Sequence, residues 1–196
     1  MAGSPYFNQF AWRMRDDTNV FDGGTPNWIT TENQTANEVI TVATTFRIRF
    51  GVENTGTNKG TLGRAAWYSY NSGSWTQITT SSSYIIIDSN ASTDTGQQSI
   101  ATGNFVLTTT PTAASATAGD GRDDDTISND NNYNEDQYQE VEYGFSIVRS
   151  DVANGDSIQV RLGADATGYD NYDFVPTIEV DKPPSGFAPP MGPPFF

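Results

Sequence analysis

The stretch TTFRIRFGVEN, residues 44–54, alternates without a break: Phe46, Ile48, Phe50 and Val52 fall on one side, Arg47, Arg49 and Glu53 on the other. Side chains that change sides at every residue suit an extended strand with one face in a core, and no single stripe of a helix could collect them. The same period returns along the chain. Tyr6, Phe10, Trp12 and Met14 oppose Gln9, Arg13 and Arg15. Gln139, Val141, Tyr143, Phe145 and Ile147 oppose Tyr138, Glu140, Glu142 and Ser146, and Ile158, Val160 and Leu162 repeat the pattern. Shorter strands are predicted near Val39–Val42 and in SYIIID, GNFVLT and TIEV. AAWYSYNSGSWTQI reads as a hairpin bent at Asn71-Ser72-Gly73. No stretch carries the helical period. Many short strands separated by turn residues predict an all-β chain, an antiparallel β-sandwich of immunoglobulin-like or jelly-roll-like form.

A chain of 196 residues has room for one such domain and little more. We expect the sandwich over residues 1–181 and an extended C-terminal arm over residues 182–196. Within the domain, residues 111–136 (PTAASATAGDGRDDDTISNDNNYNED) are acidic and poor in apolar groups, which predicts a long surface loop. Asp120, Asp123, Asp124, Asp125 and Asp130 offer the hard oxygens that calcium takes. Their spacing does not match the D-x-D-x-D-G loop with its closing Glu, so no metal is assigned and the loop is read as a solvated acidic segment.

Charge narrows the partners. Ten Lys and Arg stand against 24 Asp and Glu, a formal net charge of −14, which disfavours nucleic acid and anionic membrane as partners. No apolar run approaches the ~20 residues of a membrane helix, and the first ten residues lack the regions of a signal peptide, so synthesis in a cytoplasm is expected. Cysteine and histidine are both absent. Thiol and Ser–His nucleophiles and the usual zinc ligand sets are thereby excluded, and neither a cofactor nor a catalytic residue is assigned.

Three side-chain groups invite a functional reading. Glu140 and Glu142 share a strand face, as paired glycosidase carboxylates must share a cleft, but the wet face of an outer strand has the same pattern. Trp67, Tyr68, Tyr70 and Trp75 cluster in the hairpin, with Tyr169, Tyr172 and Phe174 further on. They fit sheet packing and, alternatively, a sugar platform. Arg13, Arg15, Arg47 and Arg49 would form one basic stripe if their strands were neighbours, either paired with Glu53, Glu140 or Glu142 or presented as a docking face to an acidic partner.

FAWRMRDD, TTFRIRFGVENTGTNKG, WYSYNSGSWTQI, VEYGFSIVRSDVANGDSIQVRLG and PTIEV, in that order, resemble a β-sandwich module of the structural proteins of tailed bacteriophages. The resemblance spans nearly all of residues 6–180. It implies a non-enzymatic virion protein and supplies no catalytic residue. As a module without a fused shaft, the chain looks like a capsid decoration or cement protein on the virion surface. The partner so implied is the major capsid protein or another virion protein, with self-association on the particle. The alternative is a carbohydrate- or receptor-binding module of a phage tail or fibre, or of a secreted protein.

The arm fits the first reading. PPSGFAPPMGPPFF cannot join a helix or a central strand, and a polyproline-like segment has little conformational freedom to lose on binding. Phe187, Met191, Phe195 and Phe196, spaced by Pro189, Pro190, Pro193 and Pro194, are expected to fill pockets on a partner, with Arg13, Arg15, Arg47 and Arg49 as a second contact.

Overall fold

The period-two segments become the strands of two stacked sheets. The structure, a computed structural model, describes residues 4–17, 27–42, 44–88, 97–122 and 129–184. The strands are β1 (Phe7–Asp16), β2 (Glu38–Thr41), β3 (Thr45–Asn54), β4 (Gly60–Gly63) and β5 (Ala65–Tyr70). They continue as β6 (Thr76–Gln77), β7 (Ile85–Ile87), β8 (Gln97–Ile100), β9 (Ser115–Ala116) and β10 (Gly119–Arg122). The last are β11 (Asn129–Tyr133), β12 (Gln137–Ile147), β13 (Ser157–Gly163), β14 (Asn171–Tyr172) and β15 (Thr177–Asp181).

One sheet runs β14-β1-β3-β12-β10-β8, with β7 and β9 also on the outer edge of β12; the other runs β2-β15-β13-β5-β6. A small β11-β4 ribbon completes the set. The long strands β1, β3 and β12 pair antiparallel, whereas β10 and β9 on β12, β14 on β1 and β2 on β15 are parallel, so both sheets are mixed.

Between the sheets lies the core that the alternation predicts. Trp12, Met14, Phe46, Ile48, Phe50, Val52, Val141, Tyr143, Phe145 and Ile147 of the larger sheet meet Ile40, Ala66, Tyr68, Ile158, Val160, Leu162, Ile178 and Val180 of the smaller. Each large apolar side chain so buried contributes roughly 1.5–3 kcal/mol. The hairpin bend is as expected: Gly73 N–H reaches Tyr70 C=O at 2.8 Å, with Asn71 and Ser72 both at positive φ. The free edge of β1 is closed by residues 27–33, whose backbone bonds to Trp12, Met14 and Asp16. Trp28 pins that loop, but the Ile29 side chain stays exposed.

Three expectations are corrected. Residues 111–136 do not form one loop: β9, β10 and β11 lie within them, because their backbone finds partners on β12, β8 and β4. GNFVLT is not a strand; a 3₁₀ turn at Thr102–Asn104 leads into an irregular segment whose amides bond to carboxylates. A bulge makes Phe10 the extra residue between the Gln9–Val52 and Ala11–Gly51 pairs. It sends the Gln9 amide to Leu162 N–H and Phe174 C=O on the core side and moves Phe10 to the opposite face, against Tyr138.

Candidate functional site

β1, β3 and β12 lie side by side, so the four arginines and two glutamates of their second face are neighbours. Arg13 stands opposite Arg49, Arg15 opposite Arg47, and Arg49 opposite Glu142. Like charges facing each other across strands are unfavourable unless a counter-charge intervenes, and Glu142 is that counter-charge. Its Oε1 accepts from Arg15 (2.5 Å to Nη2) and Arg47 (3.4 Å to Nη1), and its Oε2 from Arg49 Nε at 2.6 Å. Glu140 takes Arg49 Nη1 at 2.9 Å, and Asp17 takes Arg47 Nε at 2.5 Å. Three guanidinium groups thus meet three carboxylates in a closed array.

Apart from Asp17, which is partly exposed, the array is shut away from water. Arg15, Arg47, Arg49, Glu140 and Glu142 are each at most 2% exposed. The basic docking stripe is therefore corrected: Arg15, Arg47 and Arg49 are interior, and Arg13 lies over the Trp28 ring at 4.4 Å and donates to Thr30 C=O. The wet-face reading of Glu140 and Glu142 is corrected too, because β12 is a central strand covered on both faces. Burial pushes the Glu142 carboxyl up, but Arg49 and Arg15 outweigh it and hold the group below the usual carboxylate range. At Glu140 burial prevails over Arg49 and two amides, and the group sits above that range. Each of their four oxygens accepts at least one hydrogen bond, from an arginine or a backbone amide.

At the Glu140 end of this face a strap over residues 101–114 lies on the sheet, and three glutamates fasten it. Glu140 accepts from the backbone N–H of Val106 and Leu107, Glu32 from Thr108 and Thr109, and Glu53 from Thr112 and Ala113. Glu53 also takes Asn8 Nδ2 rather than an arginine. Carboxylates here do the work of a neighbouring strand, accepting from amides that range from exposed at Thr108 to buried at Ala113. Between strap and sheet lies a half-open pocket of about 290 Å³, with Phe10, Phe105, Tyr138 and Glu140 in its wall. Neither Glu32 nor the strap carries a sequence signal; only the apolar–acidic alternation around Glu53 and Glu140 hints at them.

The hairpin aromatics part company. Tyr68 enters the core, and Tyr70 stacks on Tyr84 with centroids 3.7 Å apart. Trp67 and Trp75 remain half-buried, and among the described residues only the Trp67 indole of the pair makes a hydrogen bond, from Nε1 to Gly163 C=O at 3.2 Å. The four do not form one platform. Trp75 instead lies on Arg161, whose Cζ is 4.0 Å from its ring centre and 4.9 Å from that of Tyr172. Sequence reading passed over Arg161, since a single arginine on an alternating strand looks like any solvated residue.

Asp120, a calcium candidate, is buried and held by Arg122 at 2.7 Å and Arg64 at 3.5 Å. It bonds inward because Asp120 and Arg122 pair with Val141 and Tyr143, whose side chains face the core. Asp123, Asp124 and Asp125 lie outside the described residues, as do Phe187, Pro189, Pro190, Met191, Pro193, Pro194, Phe195 and Phe196. Among the described residues no group of three or more carboxylates stands close enough to hold a metal ion, and no helix is long and apolar enough to cross a membrane. No protein-family model matches the chain, and no curated protein matches it in sequence.

Proposed function

We propose that this chain is a non-enzymatic structural protein of a virion, a decoration or cement protein that sits on a viral shell and adds contact area between its subunits. The observation that supports the reading is that both faces of β1, β3 and β12 are buried: a second sheet packs on one, and the other holds the shut-in charge array with a strap tied to Glu32, Glu53 and Glu140 at one end. In such a body both carboxylates of β12 are engaged by arginines and backbone amides. The stability of a particle is served by a rigid body on a tether. With Arg15, Arg47 and Arg49 committed to the interior, attachment falls to the arm, through Phe187, Met191, Phe195 and Phe196.

The test is removal of residues 183–196, followed by binding to shells and by the heat resistance of the loaded particles. Loss of both is expected. Unchanged binding and unchanged particle stability overturn the proposal.

A further inference from the structure

Arg161 is buried like the arginines of the array, at 8% exposure, yet it lacks what they have. Arg15, Arg47, Arg49, Arg64 and Arg122 each lie within 4.0 Å of a carboxylate; among the described residues Arg161 has none. Its one hydrogen bond runs from Nη2 to Ala166 C=O at 2.6 Å, and its Nε is buried with no acceptor. The acids nearby are already engaged. Asp165 accepts from Thr167 N–H and Gly168 N–H, Asp170 from Phe7 N–H, and Asp173 from Asn8 and Asn171. A buried cation without a counter-ion is costly, and a chain with 24 acidic residues has had ample means to supply one.

The surroundings hold the guanidinium in place. Trp75 and Tyr172 both approach its plane. Gly168, at φ +89°, lets the loop close on it: a Cβ there would stand 2.4 Å from Tyr172 Oη and 2.8 Å from Arg161 Cζ. Nη2 gives a hydrogen to Ala166, and among the described residues Nη1 has no acceptor, so the edge that the two terminal nitrogens form is not closed by a carboxylate. That edge matches the two oxygens of a carboxylate. Across the outer face of the smaller sheet, Arg161 pairs with Trp67 and Trp67 with Gln77, so the cation sits at the end of a row with an indole and an amide.

We propose that this row is a binding site for an acidic saccharide, with Arg161 receiving the sugar carboxylate and Trp67 and Trp75 flanking the ring. A sugar carrying one carboxylate uses both the cation and the apolar planes beside it. A polyacidic peptide uses only the cation and is opposed by the net charge of −14. The site is independent of the shell-binding reading, since it is tested on the free protein.

The experiment titrates the full chain with sialyllactose and with glucuronic acid, reading tryptophan fluorescence and the side-chain Nε–H signal of Arg161 by NMR. Lactose, glucose and a blocked glutamate dipeptide serve as comparisons. Saturable binding of the acidic sugars is expected, with a shifted Arg161 Nε–H signal and affinity at least about tenfold above that of the neutral sugars. Arg161→Gln is expected to abolish the difference between acidic and neutral sugars. The NMR signal of the unaltered protein decides the matter if that variant does not fold. Equal response to neutral sugars, equal or better binding of the glutamate dipeptide, or an unmoved Arg161 signal overturns the proposal.

Discussion

Gly51 lies directly beneath the ring of Phe10: a Cβ at that position would stand 2.5 Å from Phe10 Cζ. The bulge in β1 and the glycine in β3 are thus two halves of one feature, which seats Phe10 under the strap beside Tyr138 and Phe105. Gly51→Ala is expected to cost about 1–3 kcal/mol of stability, because the added Cβ must push the Phe10 ring out of its seat on the sheet. In a Phe10→Ala background the same substitution is expected to be nearly neutral. A urea-denaturation double-mutant cycle measures the coupling, and additive effects would contradict the contact.

Glu142 is the hub of the buried array, and its neutralisation leaves Arg15 and Arg47 with less counter-charge than they need. Glu142→Gln is expected to lower the unfolding free energy by about 3–5 kcal/mol. A loss below about 1 kcal/mol in chemical denaturation would mean that water reaches the array.

The two glutamates of β12 respond to pH with opposite sign. Glu142 is held below its unfolded value, so its contribution is present above that value, about 4.3, and is lost as the pH falls through the lower folded one. Glu140 is held above its unfolded value by burial. It favours the folded state at pH below about 4.3, and that advantage is lost as the pH rises through the raised folded value. Stability curves of Glu142→Gln and Glu140→Gln against pH are expected to lose the acid-side rise and the opposing fall, respectively.

Tyr70 donates its hydroxyl hydrogen to Asp156, and that bond, with burial and the negative charge, pushes its pKa up to about 12. Asp156→Asn is expected to return it towards the ordinary value near 10. Ultraviolet titration of tyrosinate, with Tyr70→Phe to identify the transition, checks the assignment.

Strap amides are protected only as well as their carboxylate acceptors hold. Glu32→Ala removes the acceptor of Thr108 and Thr109. Hydrogen exchange at these two amides is expected to rise by about tenfold, with Val106 and Leu107, held by Glu140, changing less. Uniform acceleration along residues 106–113 would show that the strap opens as one unit.

Much of the framework was legible in the chain. β3, β12 and β13 coincide with their alternating segments because a strand buried on one face repeats every second residue whatever it packs against. The Asn71–Gly73 bend was legible because a tight turn demands particular residues. GNFVLT misled because an apolar run specifies extended backbone but not the partner of that backbone, and here the partners are glutamate side chains. The segment around Asp120 misled for the converse reason: glycine and aspartate suggest a loop, yet β10 is held by its neighbours β8 and β12.

The chain by itself determined, except where the bulge at Phe10 reverses it, which residues share a face, that two such faces would stack, and that arginines and glutamates would be neighbours. Only the tertiary structure decided that this charged face would be shut away from water. Over Glu140 and Glu53 the cover comes from residues 101–114, distant in sequence from β1 and β3, and an ion pair becomes interior or superficial according to what lies over it. The same reason separates Arg161 from the other buried arginines. Alternation places it on the outer face, and only the folding of residues 163–172 back over that face encloses it without a carboxylate.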